Sequence, residues 1–145
     1  MRFLVDTNLL LRLVEPASPK RVVANQAILK QKAAGNEAVL VPQGLFEFWT
    51  VATRTTAANG LGYPADKVEL LVEKFRREFP LLPDTPDLTD RWLDLVTRHS
   101  VTGVNSRDAR LAAAMLTHGV THLLTFNSRD FRRDRHVNVI DPQQL

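Results

Sequence analysis

Residues 3–10 read Phe-Leu-Val-Asp-Thr-Asn-Leu-Leu, a pattern that indicates the class of fold. Phe3, Leu4 and Val5 form a short apolar run of the kind found in buried strands. The polar residues Asp6-Thr7-Asn8 follow at once and are typical of a turn that caps a helix, in which the leucines resume. The stretch therefore predicts a strand, a sharp turn and a helix, which is the opening unit of an α/β domain.

The same order of apolar strand and amphipathic helix recurs along the chain. Periodicity and capping residues predict helices over about 9–14, 19–34, 43–56, 65–79, 88–99 and 106–118, and further strands over about 38–41, 121–125 and 137–140. Leu81-Leu82 is a candidate edge strand, because Pro80 and Pro83 lack the N–H group that an inner strand needs. The alternation predicts one three-layer α/β domain over 1–145, with a mainly parallel sheet of four to five strands flanked by helices.

Composition excludes several classes of protein. The 145 residues include no cysteine, so disulfides, thiolate zinc sites and cysteine nucleophiles are ruled out. No apolar run approaches the ~18 residues of a membrane span, and a charge at Arg2 and another at Asp6 interrupt the only apolar run near the amino terminus. We therefore expect a cytoplasmic protein. The formal net charge of +3 permits binding to a polyanion without indicating it.

Oxygen-bearing side chains follow the predicted strands. Asp6 ends the first strand, Glu47 lies early in the third helix, and Asn127 and Asp130 follow the strand over 121–125. Ligands bind at the carboxyl ends of parallel strands, so these groups are expected to meet at one edge of the sheet.

Asp108 is the most informative acid. It shares a helix face with Leu111, Ala112 and Met115. A carboxylate on a buried face is costly unless it is paired or binds a metal. The alternatives are structural: a first-turn acid for Asp108 with Asn105 or Ser106 as the cap, an exposed acid for Glu47, and a backbone cap for Asp6.

Gathered carboxylates repel one another unless a hard cation joins them. Oxygen ligands without cysteine favour Mg²⁺, for which Mn²⁺ can substitute. A histidine zinc site is disfavoured, because His118 and His122 stand on either side of Gly119 and do not share a helix face.

Four sequence blocks, read together, carry a family resemblance: Val5-Asp-Thr-Asn-Leu-Leu10, Phe46-Glu-Phe48, Arg107-Asp-Ala-Arg-Leu-Ala-Ala113 and Leu124-Thr-Phe-Asn-Ser-Arg-Asp-Phe131. In order and spacing the chain resembles the PIN-domain family, and within it the VapC-type ribonuclease toxins of toxin–antitoxin pairs. The resemblance implies a metal-dependent endoribonuclease that hydrolyses RNA phosphodiester bonds with metal-activated water. It also implies a homodimer inhibited by a cognate antitoxin.

The resemblance also implies roles for individual residues. Asp6, Glu47 and Asp108 would form the acidic core, with Asp6 and Asp108 as metal ligands. Many members have a fourth acid where this chain has Asn127, so Asn127 or Asp130 would take that place. Asn8 and Thr125 would position Asp6. The expected RNA-binding residues are five arginines: Arg107, Arg110, Arg129, Arg132 and Arg133.

Two other functions are weighed against this one. A PIN-like module that binds RNA or protein without cleaving is the main alternative, although it has no need of a costly acidic cluster. An aspartyl-phosphate phosphatase needs a second Asp two residues after the first, and Asn8 occupies that place.

Overall fold

Four parallel strands form the central sheet of the computed structural model, which describes residues 1–131 and 134–145. The strands are β1 (Arg2–Val5), β2 (Glu37–Val39), β3 (His122–Leu124) and β4 (Asn138–Ile140), in the spatial order β2-β1-β3-β4. Phe3 pairs with Ala38 on one side and with His122 on the other, so β1 is an inner strand. The predicted fold class is confirmed.

In the described part of the chain, six α-helices connect and cover the strands: α1 (Thr7–Leu13), α2 (Lys20–Ala33), α3 (Pro42–Thr53), α4 (Ala65–Glu78), α5 (Leu88–Arg98) and α6 (Asn105–Thr117). Each of the six predicted helices is present. The largest error is at the end of α3, which was predicted to reach residue 56. The helix stops at Thr53 because Arg54 adopts an extended backbone conformation, with ψ at 145°.

The core has two layers because successive side chains of β1 point to opposite faces of the sheet. Phe3 and Val5 pack with α1 to α4, in a cluster that includes Phe48 and Phe75. Leu4 packs on the other face, against α5 and α6. The sheet is therefore covered on both faces, as a parallel sheet requires.

The outer edge of β2 carries one further contact. The Leu40 N–H donates to the carbonyl of Pro80 over 2.9 Å, and the Leu82 N–H donates to the carbonyl of Leu40 over 2.8 Å. Leu81 thus forms an isolated parallel bridge with Leu40. The proline argument placed this segment at the edge correctly, but the prolines limit it to one bridge.

Helix α6 buries more than the face that carries Leu111 and Met115. Ala113 and Ala114 are 0% and 3% exposed, as buried as Leu111 and Met115. Small alanine side chains allow a helix to approach its neighbours closely on several sides. Consequently α6 is buried almost all round in its second half, while Asp108 in its first turn is half-buried.

None of the helices in the described part of the chain is long and apolar enough to cross a lipid bilayer.

Candidate active site

Asp6 lies at the carboxyl end of β1, at the edge of the sheet where the first turn begins. Its backbone N–H donates to the Leu124 carbonyl of the neighbouring strand over 3.1 Å, which extends the β1–β3 pairing by one step. Asp6 is also the N-cap of α1. Strand and helix together therefore fix the place of its carboxylate.

Three donors hold the Asp6 carboxylate. Oδ1 accepts the Thr7 backbone N–H at 2.8 Å, while Oδ2 accepts the Thr125 hydroxyl at 2.7 Å and the Asn8 side-chain amide at 3.2 Å. Thr125 is fully buried, and its oxygen also accepts the backbone N–H of Asn127 at 3.0 Å. The structure thus places Asn8 and Thr125 against Asp6. Only Oδ1 of Asp6 caps the helix, as the structural alternative expected, whereas Oδ2 is bound by the two side chains.

The pKa of Asp6 is nevertheless raised above its ordinary value. Burial is the largest cause, and the hydrogen bonds from Thr125 and Thr7 oppose it. The negative charges of Glu47 and Asp130 raise the pKa further. Glu47 and Asp130 are therefore close enough for their charges to act on the Asp6 carboxylate.

Glu47 is half-buried on α3, where a side-chain hydrogen bond holds it. Its Oε1 accepts the Gln43 amide at 3.0 Å, and its Oε2 lies 3.5 Å from the Thr7 hydroxyl. Thr7 also donates to the Gly44 carbonyl over 3.0 Å, so α1 and α3 are joined beside the acid. The alternative of an exposed, unconstrained Glu47 is wrong.

Asp108 and Asp130 line one cavity of about 480 Å³ between α5, α6 and the 3₁₀ turn Ser128–Phe131. Apolar side chains, including Leu95 and Phe131, form part of its wall. The capping alternative for Asp108 is also wrong in part, because the N-cap of α6 is Val104, which makes no side-chain cap. Asp108 does lie in the first turn, where the helix dipole favours a negative charge.

The fourth acidic position was left open between Asn127 and Asp130. Asn127 is exposed, and its backbone N–H supports Thr125. Asp130 is also exposed, yet its charge acts on Asp6. Of the two, Asp130 is therefore the residue that adds negative charge to the neighbourhood of Asp6.

The predicted RNA-binding arginines differ in their surroundings. Arg107 and Arg129 are exposed. Arg110 is half-buried and donates to Gln43 over 2.8 Å and to Asp84 over 3.1 Å, so its guanidinium is already engaged within the protein. Arg132 and Arg133 lie outside the described residues.

The donor chemistry of the site fits a hard divalent cation. The acids offer oxygen ligands, and burial and the charges of Glu47 and Asp130 raise the pKa of Asp6. Over 1–131 and 134–145, no three histidine, aspartate or glutamate side chains are arranged to hold one ion. Mg²⁺ commonly takes only one or two carboxylates and keeps several waters. The ligand pair Asp6 and Asp108 stays a prediction from the sequence.

Sequence reasoning missed Gln43 and Asp84. Gln43 is buried, and its amide contacts Glu47, the Arg107 carbonyl and Arg110. The sequence did contain a signal for Gln43. It and Glu47 are two polar residues four apart on an otherwise apolar helix, and residues at this spacing are neighbours on a helix surface. Asp84 gave no such signal, because its partner Arg110 is 26 residues away.

The raised pKa of Asp6 predicts a pH dependence of stability. The native protein binds the Asp6 proton more tightly than the unfolded chain does, so the free energy of unfolding falls as pH rises from the ordinary value of 3.8 through the raised native pKa. Below 3.8 both states are protonated, and the contribution is constant. Thermal melts in EDTA should therefore show the Tm of the wild type falling relative to that of Asp6→Asn over this window. A Tm difference that is independent of pH would contradict the assignment.

Comparison with known proteins gives the family. The PIN domain model matches residues 3–135. Among solved structures, VapBC2 from Rickettsia felis bound to a promoter DNA fragment is 14% identical over 97% of this chain and 98% of the other, with a TM-score of 0.72. FitAcB from Neisseria gonorrhoeae is 19% identical, with 99% of each chain covered and a TM-score of 0.67.

A third structure, VapC20 from Mycobacterium tuberculosis, is described as a sarcin–ricin-loop-cleaving toxin. It is 15% identical over 83% of this chain and 86% of that chain, with a TM-score of 0.63. No curated protein gave a significant sequence match. The fold is that of a PIN domain, and the chain belongs to the PIN domain family.

Proposed function

We propose that this protein is a Mg²⁺-dependent endoribonuclease and the toxin of a VapBC-type toxin–antitoxin pair, acting in the cytoplasm. The observation that carries the proposal is the half-buried Asp6 carboxylate, held by Thr7 and Thr125 beside the charges of Glu47 and Asp130 in a PIN fold. Such a cluster is unfavourable for the protein alone, and a divalent cation would offset its repulsion.

Asp6 and Asp108 would hold the ion, and Mn²⁺ would substitute for Mg²⁺. When bound, the ion would act as a Lewis acid that lowers the pKa of a bound water and neutralises charge on the phosphate. Thr125 and Asn8 keep Asp6 oriented through the hydrogen bonds already described. Such supporting contacts fix the direction of a ligand and tune its basicity.

Glu47 or Asp130 would accept the proton of the attacking water. The water oxygen bonds to phosphorus, the bond from phosphorus to the 3′ oxygen breaks, and the 3′ oxygen leaves as a hydroxyl after taking up a proton. The products are a 5′-phosphate and a 3′-hydroxyl. Because water is the nucleophile, no cyclic 2′,3′-phosphate forms.

The exposed Arg107 and Arg129 would bind the RNA backbone near the acidic site. Phosphate contacts of this kind supply affinity and position the strand without selecting a sequence. Arg132 and Arg133, outside the described residues, are proposed for the same role. The description of VapC20 as a sarcin–ricin-loop-cleaving toxin supports RNA as the substrate class.

A cognate antitoxin and a second copy of the chain are the proposed protein partners. Leu9, Leu10 and Phe75 are buried in the core, whereas Phe46 is 64% and Trp49 is 40% exposed. An exposed aromatic pair on one helix is typical of a protein contact surface.

The proposed function is tested by incubating a structured RNA with the wild-type protein in Mg²⁺ and in EDTA. We expect cleavage with Mg²⁺, at least about 10²-fold slower cleavage in EDTA, and products with a 5′-phosphate. We also expect Mg²⁺ or Mn²⁺ to raise the Tm, as any ligand of the native state does. A cyclic-phosphate product would refute the proposed chemistry. Absence of both cleavage and a metal-dependent Tm shift would favour the non-catalytic binding module.

A further inference from the structure

One buried amide joins the two helices that carry Glu47 and Asp108. The side-chain nitrogen of Gln43 donates to Glu47 Oε1 over 3.0 Å and to the backbone carbonyl of Arg107 over 2.9 Å. That carbonyl belongs to the peptide group that leads directly into Asp108. The amide therefore links the carboxylate on α3 to the backbone beside the acid on α6.

Arg110 decides which way this amide faces. Its Nη1 donates to Gln43 Oε1 over 2.8 Å, and its Nη2 pairs with Asp84 over 3.1 Å. If the amide were flipped, its NH₂ group would face the Arg110 donor, and its oxygen would face two acceptors, the Glu47 carboxylate and the Arg107 carbonyl. Only one orientation satisfies all the partners of Gln43.

Within the protein itself, the positive charge of Arg110 is paired with a carboxylate. Asp84, in the connector between α4 and α5, supplies the carboxylate. Arg110 and Asp84 are 35% and 38% exposed at their side chains, so the pair lies partly in solvent. The guanidinium is thus oriented by Asp84 through one nitrogen and donates a hydrogen bond to Gln43 through the other.

We propose that Gln43 is a positioning residue that fixes Glu47 relative to Asp108, and that Arg110, oriented by Asp84, holds Gln43 in its working orientation. The inference rests on the proposed ribonuclease function, which it deepens. It replaces the RNA-binding role predicted for Arg110. Arg107, three residues earlier on the same helix and exposed, keeps that role.

The test compares Gln43→Met, Arg110→Met, the double variant and Arg107→Met as a matched control. Gln43→Met removes the donors without changing the charge, whereas both arginine variants remove one positive charge. We expect Gln43→Met and Arg110→Met each to lower kcat for RNA cleavage by roughly 10- to 100-fold, with KM changed less than about twofold. The double variant should be no slower than the slower of the two, because both act through one amide.

Arg107→Met should instead raise KM and lower the magnitude of the salt-dependence slope of RNA binding by about 1. Arg110→Lys, which keeps the charge and a donor, should recover part of the kcat that Arg110→Met loses. It also provides a milder change should the methionine variant fail to fold. If Arg110→Met raises KM and lowers the salt slope as the control does, or if Gln43→Met retains wild-type kcat, the proposal is overturned.

A second readout is independent of catalysis. In ¹⁵N NMR spectra, the Gln43 side-chain amide signals should shift in Arg110→Met and Arg110→Lys and remain in place in Arg107→Met, whose backbone carbonyl is unchanged. Unshifted Gln43 signals in Arg110→Met would overturn the geometric part of the inference. A wild-type protein that cleaves no RNA, but shows the expected NMR shifts, would refute the proposed function and leave the Gln43–Arg110 linkage intact.

Discussion

Asp6→Asn is expected to lower the rate of RNA cleavage by about 10³-fold or more. Asparagine has nearly the same size, so the sheet and helix around residue 6 keep their packing. The substitution removes the negative charge, however. It also places an NH₂ group against donors: against the Thr7 N–H if the NH₂ takes the place of Oδ1, or against Thr125 and Asn8 if it takes the place of Oδ2. The measurement is single-turnover cleavage of a structured RNA in Mg²⁺.

Glu37→Gln is the matched control for this variant. Whereas Asp6 follows the carboxyl end of β1, Glu37 is an exposed acid at the amino end of β2. It loses the same charge, so a general electrostatic effect on RNA binding would appear in both variants. We expect the control to cleave within about twofold of the wild type. An Asp6→Asn variant as active as this control would exclude Asp6 from the chemistry.

Phe48→Ala is expected to lower the free energy of unfolding by about 3–5 kcal/mol. Phe48 is fully buried and packs edge-on against Phe75, with ring centroids 5.1 Å apart and an interplanar angle of 84°. Truncation removes this ring contact and leaves a cavity between α3 and α4. Urea denaturation followed by circular dichroism measures the loss.

Phe46→Ala makes the same chemical change two residues earlier on α3. Phe46 is 64% exposed, so its truncation should change the unfolding free energy by no more than about 0.5 kcal/mol. Equal losses in the two variants would mean that α3 presents a different face to the core from the one described.

These two phenylalanines show how far the sequence determines the fold. Apolar periodicity located α3 and the buried strands, because strands and helices bury residues at different spacings. Phe46 and Trp49 are as large and apolar as Phe48, yet both are exposed. Periodicity alone does not reveal which apolar positions a neighbouring helix covers. That depends on where α4 packs, which is a tertiary property.

The candidate site divides in the same way. Asp6, Glu47 and Asp130 were predicted to meet because each follows a strand at the same end of a parallel sheet. In the structure, the charges of Glu47 and Asp130 both act on Asp6. Arg110 was assigned to RNA from its charge and position on α6. Its actual partners, Gln43 and Asp84, are 67 and 26 residues away along the chain, and no local pattern reports such contacts.

The most direct test of the central claim is to map 5′-monophosphate RNA ends after induced expression of the wild type and of Asp6→Asn in a bacterial host. An endoribonuclease that uses Asp6 should produce discrete new 5′ ends in the wild-type sample that are absent from the variant sample at equal protein level. Indistinguishable end maps would contradict the assignment of this protein as an RNA-cleaving toxin.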